Sequence, residues 1–354
     1  MIRQADGNLL DADVDALVNT VNTVGIMGKG IALQFKRAFP AMFKEYAAAA
    51  KRGDLSLGKM HVWHTEALGG PRLVINFPTK GHWRSSSKLS DVEAGLDDLR
   101  RVIEREQIRS IAVPPLGCGH GGLDWAVVGP LITAKLGSLD GVDVLVYAPV
   151  ATPAAADMRT AEATPKMTPG RAALIEILGR YLRYAVEGAT QIEVQKLMYF
   201  LQVADQPLRL RYEKNLYGPY ADNLRAVLRE IEGHYLVGYG DGSLQVAQAE
   251  PFRLLPGAAE SARRVIAGDQ ASLDRIDRVM DLVAGYESSY ALELLATVHW
   301  VLAEEPALAS DPSAVVARVH EWSARKEHLF PAEHIEKALG RLIERGWTPT
   351  PRAA

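Results

Sequence analysis

Apolar and polar positions in the first 150 residues follow two periods that replace one another along the chain. Short runs that alternate or are continuously apolar read as strands: 2–4, 15–19, 59–64, 72–77, 110–115 and 142–147. Between them apolar positions recur at helical spacing, as in Ile31, Phe35 and Phe39, then Met42, Phe43 and Tyr46, later Val92, Leu96, Leu99 and Ile103, and last Ala126 to Leu136. Pro40 interrupts the first helical stretch, Gly53 reads as its stop, and Ser90 with Glu93 reads as a capping box opening a helix over 90–106. Strands alternating with helices predict an α/β fold of three layers, a sheet covered by helices on both faces.

The pattern changes after Tyr147. Residues 149–169 are small, polar and punctuated by proline, which predicts a linker over 151–167. From Thr168 the periodicity is mainly helical: Leu174, Ile177, Leu178, Tyr181 and Leu182, then 192–202 after a hinge at Gly188. Tyr235 to Val246 holds the turn Gly238-Tyr239-Gly240-Asp241-Gly242 of a small β-hairpin, and helices resume from about Glu260 through Gly346. The expected organisation is 1–150, a linker 151–167, and a mainly α-helical domain 168–354. A chain of 354 residues is long enough for two such cores.

Charge narrows the partners. The net charge is −3, with 17 basic against 16 acidic residues in 1–150 and 23 against 27 in 151–354. Neither half is a basic surface for nucleic acid, so any nucleic acid is held locally. The single Cys118 fits a reducing compartment, and the start carries no signal peptide and the chain no membrane-spanning run; the expected location is the cytoplasm. His61, His64, His82 and His120 show no metal-ligand spacing, so neither metal nor cofactor is expected.

The candidate chemistry lies where strands hand over to helices. Asp15 to Asn19 leads into a loop with Asn22, Gly25, Gly28, Lys29 and Gly30 before the helix at Ile31. Glycines there let successive N–H groups cradle an anion at a helix N-terminus. The spacing is not that of the magnesium-dependent mononucleotide loop, because Gly30 and no hydroxyl follows Lys29. A second glycine-rich loop, Gly117 to Trp125, follows the strand at 110–115, and Thr79-Lys80 follows the strand at 72–77. In such sheets ligands settle outside the carboxyl ends of strands, and two anion-cradling loops suit a pyrophosphate. Trp83 and Arg84, just past Lys80, are suited to stack on a base or meet a phosphate of single-stranded DNA.

Gly7-Asn8-Leu9-Leu10, Ala16 to Asn22, the first glycine loop and Gly117-Cys118-Gly119-His120-Gly121-Gly122-Leu123-Asp124-Trp125 together resemble a macrodomain, the ADP-ribose-binding fold. Within it, Asn19 to Gly30 with Phe77-Pro78-Thr79-Lys80 resembles the DarG-type antitoxins, which remove ADP-ribose from DNA modified by a partner DarT-like toxin. The resemblance implies a mixed sheet and an ADP-ribose site formed by Asn8, Leu9, Asn19, Asn22, Thr23, Gly28, Lys29, Gly30, Ile31, Thr79, Gly117, Cys118, Gly119, His120, Gly121, Gly122 and Leu123. It places Asn8 where many macrodomains have an adenine-binding aspartate, Asn22 near the distal ribose, and 119–123 over the diphosphate. It also implies that Lys80 is catalytic. A partly desolvated amine can lose its proton and attack an anomeric carbon; protonated, it can stabilise a leaving group instead. Related lysine-using hydrolases carry an assisting aspartate where this chain has Gly121; Asp124 lies three residues on and reads as a helix cap.

In the second half, Gln195 to Gln202 with Tyr217-Gly218-Pro219-Tyr220 resembles antitoxin-associated helical domains. The implied role is binding and neutralising the toxin. The expected function is thus a DNA ADP-ribosyl glycohydrolase acting on single-stranded DNA, at thymidine as the resemblance implies, joined to a toxin-binding domain. Two other readings stay open at this stage: a hydrolase of ADP-ribosylated protein or esters, and a non-catalytic ADP-ribose reader.

Overall fold

The computed structural model describes residues 1–65, 70–149, 154–185, 187–242 and 249–348. Two compact units emerge, one built mainly on Met1–Ala163 and one on the chain from Thr164 onward.

The first unit contains β1 (Ile2–Ala5), β2 (Ala16–Asn22), α1 (Gly30–Ala38), α2 (Pro40–Arg52), β3 (His61–His64), β4 (Leu73–Lys80), α3 (Leu89–Arg105), β5 (Ser110–Val113), α4 (Trp125–Leu136) and β6 (Asp143–Tyr147). Its six strands lie in the order β1-β6-β5-β2-β4-β3, parallel except for the antiparallel edge strand β3. Successive residues of the central strands point to opposite faces. Ala16, Val18, Leu73, Ile75 and Phe77 pack with α3 and α4, whereas Leu17, Val21 and Val74 pack with Phe35, Met42 and Tyr46 of α1 and α2. These two cores make the three layers that the alternation predicts. Gly53 ends α2 in the left-handed conformation, its φ being 80°.

Two local expectations change. β4 runs on through Pro78 and Thr79 to Lys80, so Lys80 ends a strand and does not sit in a loop beyond it. Proline is tolerated because β3 stops pairing at Asn76, and only β2 accompanies β4 past that point. The helix expected to open at Ser90 opens at Leu89 with Lys88 as its cap, which leaves Ser90 inside the first turn and forms no capping box.

Part of the expected linker is attached to the first unit: Arg159 pairs with Asp11 at 2.7 Å, and the Ala161 N–H donates to the Arg37 carbonyl at 2.7 Å. The second unit comprises α5 (Pro169–Tyr181), α6 (Gln191–Val203), the hairpin β7 (Tyr212–Asn215) and β8 (Gly218–Ala221), α7 (Asp222–Ile231), the short pair β9 (Leu236–Val237) and β10 (Arg253–Leu254), and helices α8 (Ala258–Ile266), α9 (Gln270–Val283), α10 (Ser289–Glu304), α11 (Pro312–His320), α12 (Ala324–Leu329) and α13 (Ala332–Glu344). The hairpin expected within 235–246 is corrected: β9 pairs with residues 253–254, and 243–248 lie outside the described residues. Among the described residues no helix is long and apolar enough to cross a membrane, and no group of three His, Cys, Asp or Glu side chains is placed to hold a metal ion.

Candidate functional site

β2 and β4 run side by side and end together, with Asn22 paired to Lys80 after a register shift between Val21 and Asn22. The loops leaving these ends are tied by Thr23. Its N–H donates to the carbonyls of Lys80 and Gly81, each at 3.2 Å, and its hydroxyl donates to Gly81 at 2.9 Å. Asn22 shapes the first glycine loop: Nδ2 donates to the Ile26 carbonyl at 2.6 Å, and Oδ1 accepts from the N–H groups of Val24 at 3.1 Å and Ile26 at 3.3 Å. Tyr46 of α2 donates its hydroxyl to the Asn22 carbonyl. Glycine is required at 25, where φ is 80° and a Cβ would lie 2.8 Å from that of Ala50.

This loop ends at α1, whose N-cap Lys29 makes no side-chain capping bond. Gly30 faces the second loop, a Cβ there coming 3.6 Å from the His120 ring. Lys80 reaches the same residue, Nζ donating to the His120 carbonyl at 3.0 Å. The three loops singled out by the sequence therefore converge at His120.

The second loop is compact. Gly117, at φ 73°, accepts from the Leu123 N–H through its carbonyl at 3.0 Å, and the Gly119 carbonyl accepts from the Gly122 N–H at 3.0 Å. The Cys118 N–H returns to the Pro115 carbonyl at 3.1 Å. A Cβ at Gly121 would lie 2.3 Å from Ser87 Oγ, while one at Gly119 meets nothing within 4 Å. Asp124 caps α4, Oδ1 accepting from the Ala126 N–H at 2.9 Å, as the cap reading expects.

Electrostatics follow from partial burial beside cations. Burial lowers the Lys80 pKa, favouring the neutral amine. The His120 pKa is lowered by burial first, then by Lys29 and Lys80, which favours the neutral imidazole. Burial, assisted by Asp124, pushes the Cys118 thiol up to about 11, which keeps it from acting as a thiolate.

Several named residues lie beneath the site and not on its surface. Asn19 is fully buried, its Nδ2 donating to Asn76 Oδ1 at 2.9 Å, and Thr79 is buried with its hydroxyl 3.4 Å from the Val21 carbonyl. Leu9 is buried in the core, and Asn8 caps a short 3₁₀ turn, its Oδ1 accepting from the Leu10 N–H at 3.1 Å. Gly28 and Ile31 are half-buried and flank the α1 start. The sequence reading missed Asn76, Tyr46 and Ser87, the last buried with its N–H on the Gly121 carbonyl at 2.9 Å. Asn76 had a signal: it is the one amide within the apolar run Leu73 to Phe77.

The Macro domain family matches residues 18–132. Over nearly its full length the chain is 44% identical to a DNA ADP-ribosyl glycohydrolase of Thermus aquaticus, across 98% of this chain and 94% of that protein. The chain belongs to the DNA ADP-ribosyl glycohydrolase family. A Mycobacterium tuberculosis member is 43% identical across 97% of this chain and 99% of its own. Among solved structures, the macrodomain of Mycobacterium tuberculosis DarG is 55% identical, covering 42% of this chain and 99% of that chain with a TM-score of 0.42. As a member of this family the chain is an enzyme, and its first unit is a macrodomain.

Proposed function

We propose that this chain hydrolyses the bond between ADP-ribose and a base of single-stranded DNA, with Lys80 as the catalytic residue, and that its second unit binds and neutralises the partner ADP-ribosyltransferase toxin. The observation that carries the catalytic part is the convergence of Lys80, the first glycine loop and the second glycine loop at His120. Two glycine loops provide backbone donors for a diphosphate, and Lys80 stands at their junction with an amine whose proton is loosened by burial. The neutral amine attacks the anomeric carbon as the bond to the base breaks; the base keeps the electron pair and takes up a proton, and water then releases ADP-ribose from the enzyme. Of the seventeen binding residues expected from the sequence, we assign ligand contact to those of the exposed and half-buried loop surfaces and a supporting role to the buried Leu9, Asn19, Asn22, Thr79, Gly117 and Gly121.

A Thermosipho africanus protein 36% identical over 160 residues joins a DNA ADP-ribosyl transferase to a glycohydrolase in one chain, and a DarTG structure from that organism holds ADP-ribose. These support an ADP-ribose ligand and a transferase partner for this chain. The test is release of ADP-ribose from modified single-stranded DNA and from modified protein. Release from DNA by the wild type and loss of at least a hundredfold in Lys80→Ala and Lys80→Arg, with ADP-ribose still bound, is the expected result. Arginine keeps the charge but cannot deprotonate, so activity in Lys80→Arg would overturn the nucleophile assignment.

A further inference from the structure

We propose that the loop 82–86, through Trp83 and Arg84, holds the unpaired nucleotide next to the modified base and so confers the preference for single-stranded DNA. This rests on the reading of the substrate given above. The loop begins two residues after Lys80 and is anchored at both ends, by Thr23 on the Gly81 carbonyl at 2.9 Å and by the Ser87 N–H on the Gly121 carbonyl at 2.9 Å. Between the anchors residues 82–86 are all exposed. A turn orders them, the Ser85 N–H donating to the His82 carbonyl at 3.0 Å and the Arg84 N–H meeting His82 Nδ1 at 3.2 Å.

A single exposed tryptophan is ordinary; this one is part of a stack. Trp83 is 43% exposed, the Arg84 guanidinium lies 4.4 Å from its ring centre, and the His82 ring is 5.3 Å away. Val24 and Ile26, in the glycine loop bonded to Gly81, are exposed as well. The rim beside Lys80 thus carries both apolar and cationic side chains.

The local charge identifies the occupant. From 73 to 90 the sequence holds Lys80, Arg84 and Lys88 and not one carboxylate, in a chain whose net charge is −3. Among the described residues neither Arg84 nor Lys88 pairs with an acid. An aromatic face accepts any unstacked base, and adjacent cations accept its phosphates. A duplex keeps its bases stacked inside and cannot offer one.

The experiment compares the full-length chain on an ADP-ribosylated single-stranded oligonucleotide and on the ADP-ribosylated nucleoside alone. Trp83→Ala is expected to raise KM for the oligonucleotide about tenfold with little change in kcat, a factor consistent with stacking of one base. The oligonucleotide-to-nucleoside ratio of kcat/KM should fall equally. Trp83→Phe should recover most of it, and Arg84→Ala should flatten the salt dependence. Annealing a complementary strand should erase the wild-type advantage. Unchanged oligonucleotide KM in Trp83→Ala, or equal losses on both substrates, would overturn the proposal. Absence of release by the wild type from either substrate would instead overturn the function assigned above.

Discussion

Two glycines of the second loop, two residues apart, make opposite demands. A side chain at Gly121 must displace Ser87 and the Gly117 carbonyl, the latter only 2.4 Å from its Cβ, whereas Gly119 opens on free space. Gly119→Glu is therefore expected to fold like the wild type, with an unchanged melting temperature. Its carboxylate would repel a diphosphate over the loop, so ADP-ribose affinity by calorimetry should fall at least tenfold; equal affinity would remove the loop from the site. Asp124 separates in the other sense. Its carboxylate is spent on the α4 cap, so Asp124→Ala should cost about 1 kcal/mol of stability and leave kcat within threefold. A hundredfold loss of kcat there would make Asp124 part of the catalytic machinery. The amides show how far single residues were legible. Asn22 was named for a ligand but closes its own loop with both ends of its side chain, and Asn19 bonds to an amide 57 residues away that only the sheet brings near.

At the level of elements, period and glycine placement were enough to find each of the six strands and the helices between them. Ends were less legible because caps depend on where the first turn starts. Ser90 and Glu93 have the capping-box spacing without forming the box, while Thr190 and Glu193 form it at the start of α6, Thr190 Oγ1 accepting from the Glu193 N–H at 3.2 Å. The motif residues of the second half are explained by packing. Gln195 of α6 exchanges two hydrogen bonds with Ala221 of β8, at 3.1 and 3.0 Å, and the buried Lys196 donates to the Pro219 carbonyl at 2.7 Å, so the two signatures clasp one another. Nothing in the helical period indicated a lysine in the core. Burial, then the neighbouring Lys326, lowers the Lys196 pKa to about 7, against 10.5 ordinarily. Between these values the unfolded chain holds a proton that the folded one lacks, so stability rises with pH across the window, by up to roughly 1.4 kcal/mol per pH unit. Lys326, lowered by burial to about 8 despite Glu293 at 2.6 Å, adds the same sign at higher pH. The urea midpoint of the second unit is thus expected to rise from pH 7 to pH 9, and Lys196→Met to reduce that rise. An identical rise in the variant would place the proton elsewhere.

For the whole molecule the decisive feature is that the cores are separate. The second unit's core runs from Ala172 to Trp347, and both cores of the first lie within Leu9 to Tyr147. The second unit also takes in residues ahead of its first helix: the Tyr235 hydroxyl donates to the Pro165 carbonyl at 2.8 Å, and Met167 packs on its core. A fragment starting at residue 168 loses these, so we place the useful cut before Thr164. We predict that 164–354, expressed alone, is helical by circular dichroism, binds the partner toxin in a pull-down and lowers its modification of single-stranded DNA, without removing ADP-ribose already present. The macrodomain alone should do the reverse. If hydrolysis were the whole of neutralisation, the second unit would be dispensable, yet it is the larger part of the chain and, among its described residues, no nucleophile stands beside a pair of glycine loops. Joining the two in one chain keeps the hydrolase at high effective concentration near DNA that the bound toxin modifies, with no need for a fixed arrangement of the units. Mixed in trans at low concentration, the two fragments should therefore clear modified DNA more slowly than the intact chain in the presence of toxin, and at the same rate in its absence. A folded fragment that neither binds nor inhibits would leave neutralisation to the macrodomain alone.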